Sequence, residues 1–303
     1  MHPEHPIWTI TRRDFLLASG PALAGMSCSR AFVSGGGPKL RFGMFTDPHS
    51  ADAPPNGTRF YRESIAKMTE CVARMNTEKV DFLIELGDFK DQDRTPSEAS
   101  TLRYLDAAEA AFGRFKSSRY HVLGNHDMDS ISKEQFLSRI ANTGIARDRS
   151  YYSFDAKGLR VVVLDANFTS SGADYNRGNF DWKDANVPDG ELAWLARDLA
   201  SASMPAIVFV HQQLDGGGDH LVRNAAEVRS ILEKAGNVLA VFQGHNHAGD
   251  YHLIGGIHYY TLKAMIEGSG EENNSYAFVD VLARNDIVVT GYRKAAGAEM
   301  RRG

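Results

Sequence analysis

Val80-Asp-Phe-Leu-Ile-Glu-Leu-Gly-Asp88-Phe-Lys-Asp91 is the stretch whose reading decides the fold. Residues 82–86 form an apolar run closed by Gly87, and that length and flank predict a strand. Asp88 follows just past the strand's carboxyl end, the edge at which open α/β sheets bind ligands. One Gly-Asp after a strand is an ordinary turn. The pattern acquires meaning because four other predicted strands end on metal-competent residues. Residues 40–45 lead to Asp47-Pro48-His49, residues 120–123 to Gly124-Asn125-His126-Asp127, residues 206–210 to His211, and residues 238–242 to Gly244-His245-Asn246-His247. Carboxylate, amide and imidazole donors suit Mn, Fe, Zn or Co rather than thiophilic ions. In Asp-x-His and His-x-His, alternate side chains of an extended segment lie on one side, in reach of one metal or of two adjacent ones. On this reading Asp88 bridges two ions.

Between these strands the apolar spacing is helical. Tyr61, Ile65, Met68, Val72 and Met75 predict a helix over 60–76, and Leu192, Leu195 and Leu199 one over 191–200. Further helices are expected over 98–115 and 224–234. Strand–helix alternation implies parallel pairing. Two strands at 151–154 and 159–164 flank Asp155-Ala-Lys-Gly158, a hairpin pattern. A long polar loop from Thr169 to Asp189 carries Tyr175, Arg177, Phe180 and Trp182, and loops of that length are often functional. Its aromatics can stack on a base or pack as a lid. Short strands fill the last third, and the tail 294–303 is expected to be disordered.

The 303 residues fit one large α/β domain or two small ones, and 43% hydrophobic content suffices for a sizeable core. A net charge of −4 carries no electrostatic footprint for nucleic acid. The two cysteines, Cys28 and Cys71, lack zinc-finger spacing, and Cys71 falls on the apolar side of a helix. Thr11-Arg12-Arg13-Asp14-Phe15-Leu16 resembles a twin-arginine export motif and precedes an apolar stretch too short to span a membrane. The alternative is a frayed helix with two chance arginines. Residues 1–36 are therefore read as signal and linker, and 37–293 as the functional domain. The expected partner is the twin-arginine export machinery and the expected location periplasmic or extracellular. Membrane anchoring arises only if Cys28, in a poor lipobox, is lipidated.

Together, Asp47-x-His49, Gly87-Asp88-x-x-Asp91, Gly124-Asn125-His126-Asp127, His211 and Gly244-His245-x-His247 resemble the signature of calcineurin-like metallophosphoesterases. The resemblance spans roughly residues 40 to 292. It implies an α/β fold, a four-layer α/β/β/α sandwich, around a dinuclear centre of divalent or trivalent ions, with Mn, Fe or Zn expected. By the same resemblance one ion takes Asp47, His49, Asp88 and His247, and the other Asp88, Asn125, His211 and His245. Asn125 and His126 then face the substrate, and His126 touches the phosphate and protonates the leaving group. Arg59-Phe60-Tyr61-Arg62-Glu63-Ser64, Asn224 to Arg229, and Tyr260 to Glu267 followed by Tyr276-Ala-Phe278 are similar to segments of manganese-dependent ADP-ribose/CDP-alcohol diphosphatases. The chain departs from that group at His49, where those enzymes often carry Gln, and in its export signal. It also lacks the tyrosine that purple acid phosphatases place where Asp91 stands.

Two ions about 3.5–4 Å apart clamp phosphoryl oxygens and lower the pKa of a bridging water, which then attacks in line. His126 supplies the proton if Asp127 holds it, while Asp91 supports the site from behind a ligand. Either carboxylate is alternatively a helix N-cap. Arg59 and Arg62 can fork onto a distal phosphate or be solvated helix ends. The expected activity is hydrolysis of a small phosphorylated substrate, a phosphomonoester or a nucleotide diphosphate. The alternatives are a phosphodiesterase or nuclease on the same centre, disfavoured by the absence of a basic stripe, and a non-catalytic metal-binding envelope protein, which predicts a missing ligand.

Overall fold

The computed structural model describes residues 37–302. The signal and linker expected over 1–36 lie outside the described residues. In chain order the elements are β1 Leu40–Phe45, α1 Ser64–Glu78, β2 Phe82–Glu85, α2 Glu98–Phe112, β3 Ser118–His121, α3 Lys133–Arg139, β4 Tyr152–Ala156 and β5 Leu159–Val163. Then follow α4 Asp189–Ser201, β6 Ala206–Phe209, α5 Ala225–Ala235, β7 Val238–Gln243, β8 Asp250–Ile254, β9 Ile257–Thr261, β10 Ser275–Val281, β11 Ile287–Arg293 and β12 Ala298–Met300. They build two six-stranded mixed sheets, ordered β12-β11-β10-β1-β2-β3 and β4-β5-β6-β7-β9-β8.

The layering follows from strands that are apolar on both faces, the mark of a parallel sheet covered on both sides. Phe82, Ile84 and Leu86 point into a core shared by the two sheets, whereas Leu83 points outward to Met75 of α1 and Phe112 of α2. In the second sheet Val161, Val163, Ile207 and Phe209 face inward, and Val162, Val208 and Val241 face α4 and α5. The expected four-layer sandwich is the observed one. At its centre Phe42 stacks on Phe82 with centroids 4.8 Å apart and meets Phe209 and Phe242 of the opposite sheet edge-on at 5.6 and 5.7 Å. Burying each such ring stabilises by roughly 1.5–3 kcal/mol.

Register sets the site. β1 and β2 run parallel with Phe45 opposite Glu85, β2 and β3 with Glu85 opposite His121, and β6 and β7 with Phe209 opposite Phe242. Their carboxyl ends therefore finish level at one edge of the sandwich.

Two parts of the sequence reading are corrected. The tail expected to be disordered over 294–303 instead adds β12, which pairs antiparallel with β11 and buries Met300. Its short apolar content is too little to register as a strand. Helix α3 has no counterpart among the expected helices, and it starts at a capping box in which Ser132 Oγ accepts from Gln135 N at 3.0 Å and Gln135 Oε1 accepts from Ser132 N at 2.9 Å.

His121, the last residue of β3, holds a buried ionic network. Its ring nitrogens lie 3.0 Å from Glu85 Oε1 and 3.1 Å from Glu109 Oε2. Burial disfavours the imidazolium, but Glu109 and Glu85 outweigh it and push the pKa up to about 9. A folded-state pKa above the unfolded value of about 6.5 gives stability that is complete below 6.5 and lost as pH rises through about 9. Thermal unfolding of the wild type should therefore show a loss on the order of 3 kcal/mol between those pH values. The Glu85→Gln/His121→Gln double variant, with no ionisable pair, should give a flatter profile; an equally steep one would refute the assignment.

Candidate metal centre and active site

Five strand ends converge, β1, β2 and β3 from one sheet and β6 and β7 from the other. Each buried carboxylate has one oxygen anchored and one presented. Asp47 Oδ2 accepts from Thr46 Oγ1 at 2.6 Å and from the His245 amide at 3.2 Å, while its Oδ1 has no hydrogen-bonded partner. Asp88 Oδ1 accepts from the His126 amide at 2.8 Å. Asp88 Oδ2 lies 3.4 Å from His49 Nε2 and 3.3 Å from His211 Nε2, midway between ligands from opposite sheets.

The histidines are oriented from behind. His211 Nδ1 donates to Leu86 O at 2.7 Å, which leaves Nε2 as the inward lone pair. His49 Nδ1 lies 3.1 Å from Asp91 Oδ2, and His247 Nδ1 lies 2.6 Å from Glu267 Oε1. The inward nitrogens of His49 and His247 are 3.3 Å apart, and His247 Nε2 is 3.4 Å from Asp47 Oδ1. Among the groups of possible ligands in the described residues are Asp47–His49–His247 and Asp88–His211–His245, each with its ligand atoms within 4.8 Å of one another.

Buried polar atoms are nearly always hydrogen-bonded. Here Asp47 Oδ1, Asn125 Oδ1, His211 Nε2 and His245 Nε2 all lack a hydrogen-bonded partner. They are oxygen and imidazole donors around Asp88, so the residues present fit a cation site.

The electrostatics agree. Burial raises the pKa of Asp88, but the charges of His211, His126 and His49 outweigh it and hold the carboxyl far below its ordinary range. Burial opposes a charge on His211, yet Asp88 and Asp47 lift its pKa to about 10. Burial and the His211 charge press His245 down to about 3. Positive charge is thus demanded between the carboxylates, and a bound metal supplies it in place of protons.

The backbone is shaped for this. Asp47, His49, Asp88 and His245 have φ of 51°, 45°, 53° and 65°, left-handed values rare for residues with a side chain. The turns are stitched together by Asp47 N to Gly87 O at 3.0 Å and His49 N to Asp88 O at 2.9 Å. Gly124 and Gly244 allow the close approach. A Cβ on Gly124 would sit 2.1 Å from Asp88 N, and one on Gly244 2.1 Å from Thr46 Oγ1.

A family model described as calcineurin-like phosphoesterase matches residues 40–249. The chain belongs to the calcineurin-like phosphoesterase family. Membership makes it a metal-dependent phosphoric ester hydrolase. It is 25% identical over 291 residues to a manganese-dependent ADP-ribose/CDP-alcohol diphosphatase of Arabidopsis thaliana, covering 80% of this chain and 91% of that one. A protein of the same name from Danio rerio is 24% identical over 308 residues, covering 83% and 94%. A solved dimetal phosphatase from Danio rerio shares the fold with a TM-score of 0.76 at 22% identity, covering 88% of this chain and all, 100%, of that one.

Within this calcineurin-like frame several expected roles move. Asp127 does not hold His126. Its Oδ1 accepts from Phe89 N at 2.9 Å and its Oδ2 from Gly124 N at 2.8 Å, so from inside the 3-10 turn it closes back on the amide of Gly124, the turn's N-cap, and is not itself the N-cap. Asp91 stands beside His126 instead, with Oδ1 3.4 Å from Nδ1. Arg62 pairs with Asp52 at 2.5 Å on the exposed surface. Arg59 leans towards Glu267, Nε to Oε1 3.9 Å, one residue removed from His247. Glu267 was missed as a site residue. It lies in the Tyr260–Glu267 segment that resembles the diphosphatases, but only the fold shows that it backs His247. The hydrogen bond from His247 outweighs burial and holds the Glu267 carboxyl at about 2. The loop before α4 borders the centre, with Phe180 5.5 Å from the His126 ring and Trp182 5.9 Å from the His245 ring.

Gly124→Ala should displace Asp88 and lower stability by about 1–3 kcal/mol, with activity falling more than the melting temperature. Calorimetry with a phosphoester assay checks this; a fully active Gly124→Ala enzyme would contradict the packing.

Proposed function

We propose that this enzyme holds two divalent ions at the sandwich edge and hydrolyses the diphosphate linkage of small nucleotides. The observation that carries the dinuclear reading is Asp88 Oδ2, 3.4 and 3.3 Å from His49 and His211 Nε2, amid buried donors with no hydrogen-bonded partner. Asp47, His49, Asp88 and His247 would hold one ion, and Asp88, Asn125, His211 and His245 the other. When bound, the ions would supply Lewis acidity and activate a water at neutral pH. Support for a nucleotide substrate is the name shared by the Arabidopsis and zebrafish relatives, matched over 91% and 94% of their lengths. Mn is the first ion to test.

The chain's own part is orientation and proton supply. Leu86 O, Asp91 and Glu267 fix three imidazoles, so the ligands need little rearrangement as charge develops. His126, partly exposed and beside Asp91, is placed to give its proton to the leaving oxygen. Asp91 contacts both His49 and His126, so one carboxylate aligns a ligand and the proton donor. Arg59, beside Glu267, remains the candidate for a distal phosphate. Export rests on the Thr11–Leu16 motif. Replacing Arg12 and Arg13 by Lys should hold the protein in the cytoplasm, and unchanged fractionation would exclude twin-arginine transport.

Reloaded with Mn after chelation, the enzyme should turn over ADP-ribose or CDP-choline faster than p-nitrophenyl phosphate; the reverse order would make it a monoesterase. Elemental analysis should find Asp88→Ala without either metal and His211→Ala with about one, since Asp88 Oδ2 lies within 3.4 Å of a histidine of each group. Two metals retained by Asp88→Ala would disprove the bridge. His126→Ala should slow alkyl phosphates by about 10²–10⁴ and p-nitrophenyl phosphate much less, because a good leaving group needs no proton. Equal losses on both would remove His126 as the acid.

A further inference from the structure

The loop before α4 places an aromatic side chain beside the centre that hydrolysis itself does not use. Trp182 is 37% exposed, and Tyr251 and Leu253, the other exposed large hydrophobics among the described residues, lie on β8. The Trp182 centroid is 5.2 Å from that of His220 and 5.9 Å from that of His245, and the His220 and His245 rings are 5.3 Å apart. Three rings thus form a wall that runs outward from a proposed ligand. The wall is braced. Lys183 Nζ pairs with Asp219 Oδ2 at 2.7 Å, tying the Trp182 loop to the glycine-rich loop that carries His220. Gln213 N donates to His220 O at 3.2 Å and holds that loop against the strand end.

A large ring left in water forgoes the stabilisation of burial, and such residues concentrate where a partner covers them. We propose that Trp182, with His220 beside it, is the stacking platform for the purine or pyrimidine base of a nucleotide whose phosphate lies at the metal centre. The proposal deepens the diphosphatase reading and rests on it for the class of substrate. A flat, uncharged π-system suits an indole face and needs no hydrogen-bond match, so the platform accepts different bases. A quaternary ammonium headgroup fits less well. The Lys183 ammonium already lies 5.0 Å from the Trp182 centroid, and a second cation would meet its repulsion. Phe180 stands at the His126 side of the centre and is not part of this wall. The base therefore sits at the His245 side, opposite the proton donor.

The test compares ligands that differ only in the base. Full-length Mn-loaded protein is titrated calorimetrically with AMP and with ribose 5-phosphate, as wild type, Trp182→Ala and Trp182→Phe. Wild type should bind AMP about tenfold more tightly than ribose 5-phosphate, a gain of the size one stacked base supports. Trp182→Ala should abolish that preference and Trp182→Phe should keep most of it. Phosphocholine affinity should not respond to either substitution. No AMP preference in wild type, an undiminished preference in Trp182→Ala, or a Trp182-dependent affinity for phosphocholine would each overturn the platform. Hydrolysis of ADP-ribose by the same samples separates the two readings. A Trp182-dependent AMP preference without ADP-ribose turnover upholds the platform and refutes the diphosphatase, whereas turnover with no base preference does the opposite.

Discussion

Everything at the working edge depends on keeping the buried Asp88 carboxylate ionised. It is 2% exposed, and burial alone would neutralise it. The compensation comes from both sheets, from His49 on the β1 turn and His211 on the β6 end. This works only while the two sheets stay in register across the core, which the Phe42–Phe82–Phe209–Phe242 cluster enforces. A one-residue slip of β2 would turn Phe82 and Ile84 outward and take Asp88 away from its histidines. Core packing and metal-site geometry are therefore one constraint.

The same economy appears in the turns. Four of the site residues occupy left-handed backbone, each at a cost of about 1–3 kcal/mol. Backbone bonds between neighbouring turns offset that strain and leave the side chains few alternatives. The outer nitrogens of His49, His211 and His247 each have a partner, so each inner nitrogen is oriented before any ion arrives. Loops at the rim are tied less firmly, by side-chain pairs such as Lys183–Asp219, and that is where specificity for different leaving groups can vary without disturbing the centre.

Much of this was legible in the chain because strands buried on both faces write continuous apolar runs that stop abruptly. The strand ends expected at 45, 210 and 242 fall within one residue of the observed Phe45, Phe209 and Gln243 for that reason, and the metal-competent residues stand within two residues of those ends. Asp127 illustrates the limit. Its position one residue after His126 suggested a partner for that ring, yet its oxygens are taken up by the amides of Phe89 and Gly124, while Asp91, far off in sequence, lies beside His126. A carboxylate next to a histidine in sequence points where the turn sends it.

The amino-acid sequence by itself determined the alternation of strands and helices, the parallel pairing and the residue types at each strand end, because hydrophobic periodicity and turn chemistry are local. Only the tertiary structure decided which donors share a point in space. Asp88 reaches histidines of both groups because β2 and β6 end level in opposing sheets, Glu267 backs His247 because the chain returns past β9 to the β1 turn, and β12 forms because β11 offers an edge. Those pairings depend on contacts between residues distant in the chain, which no local pattern encodes.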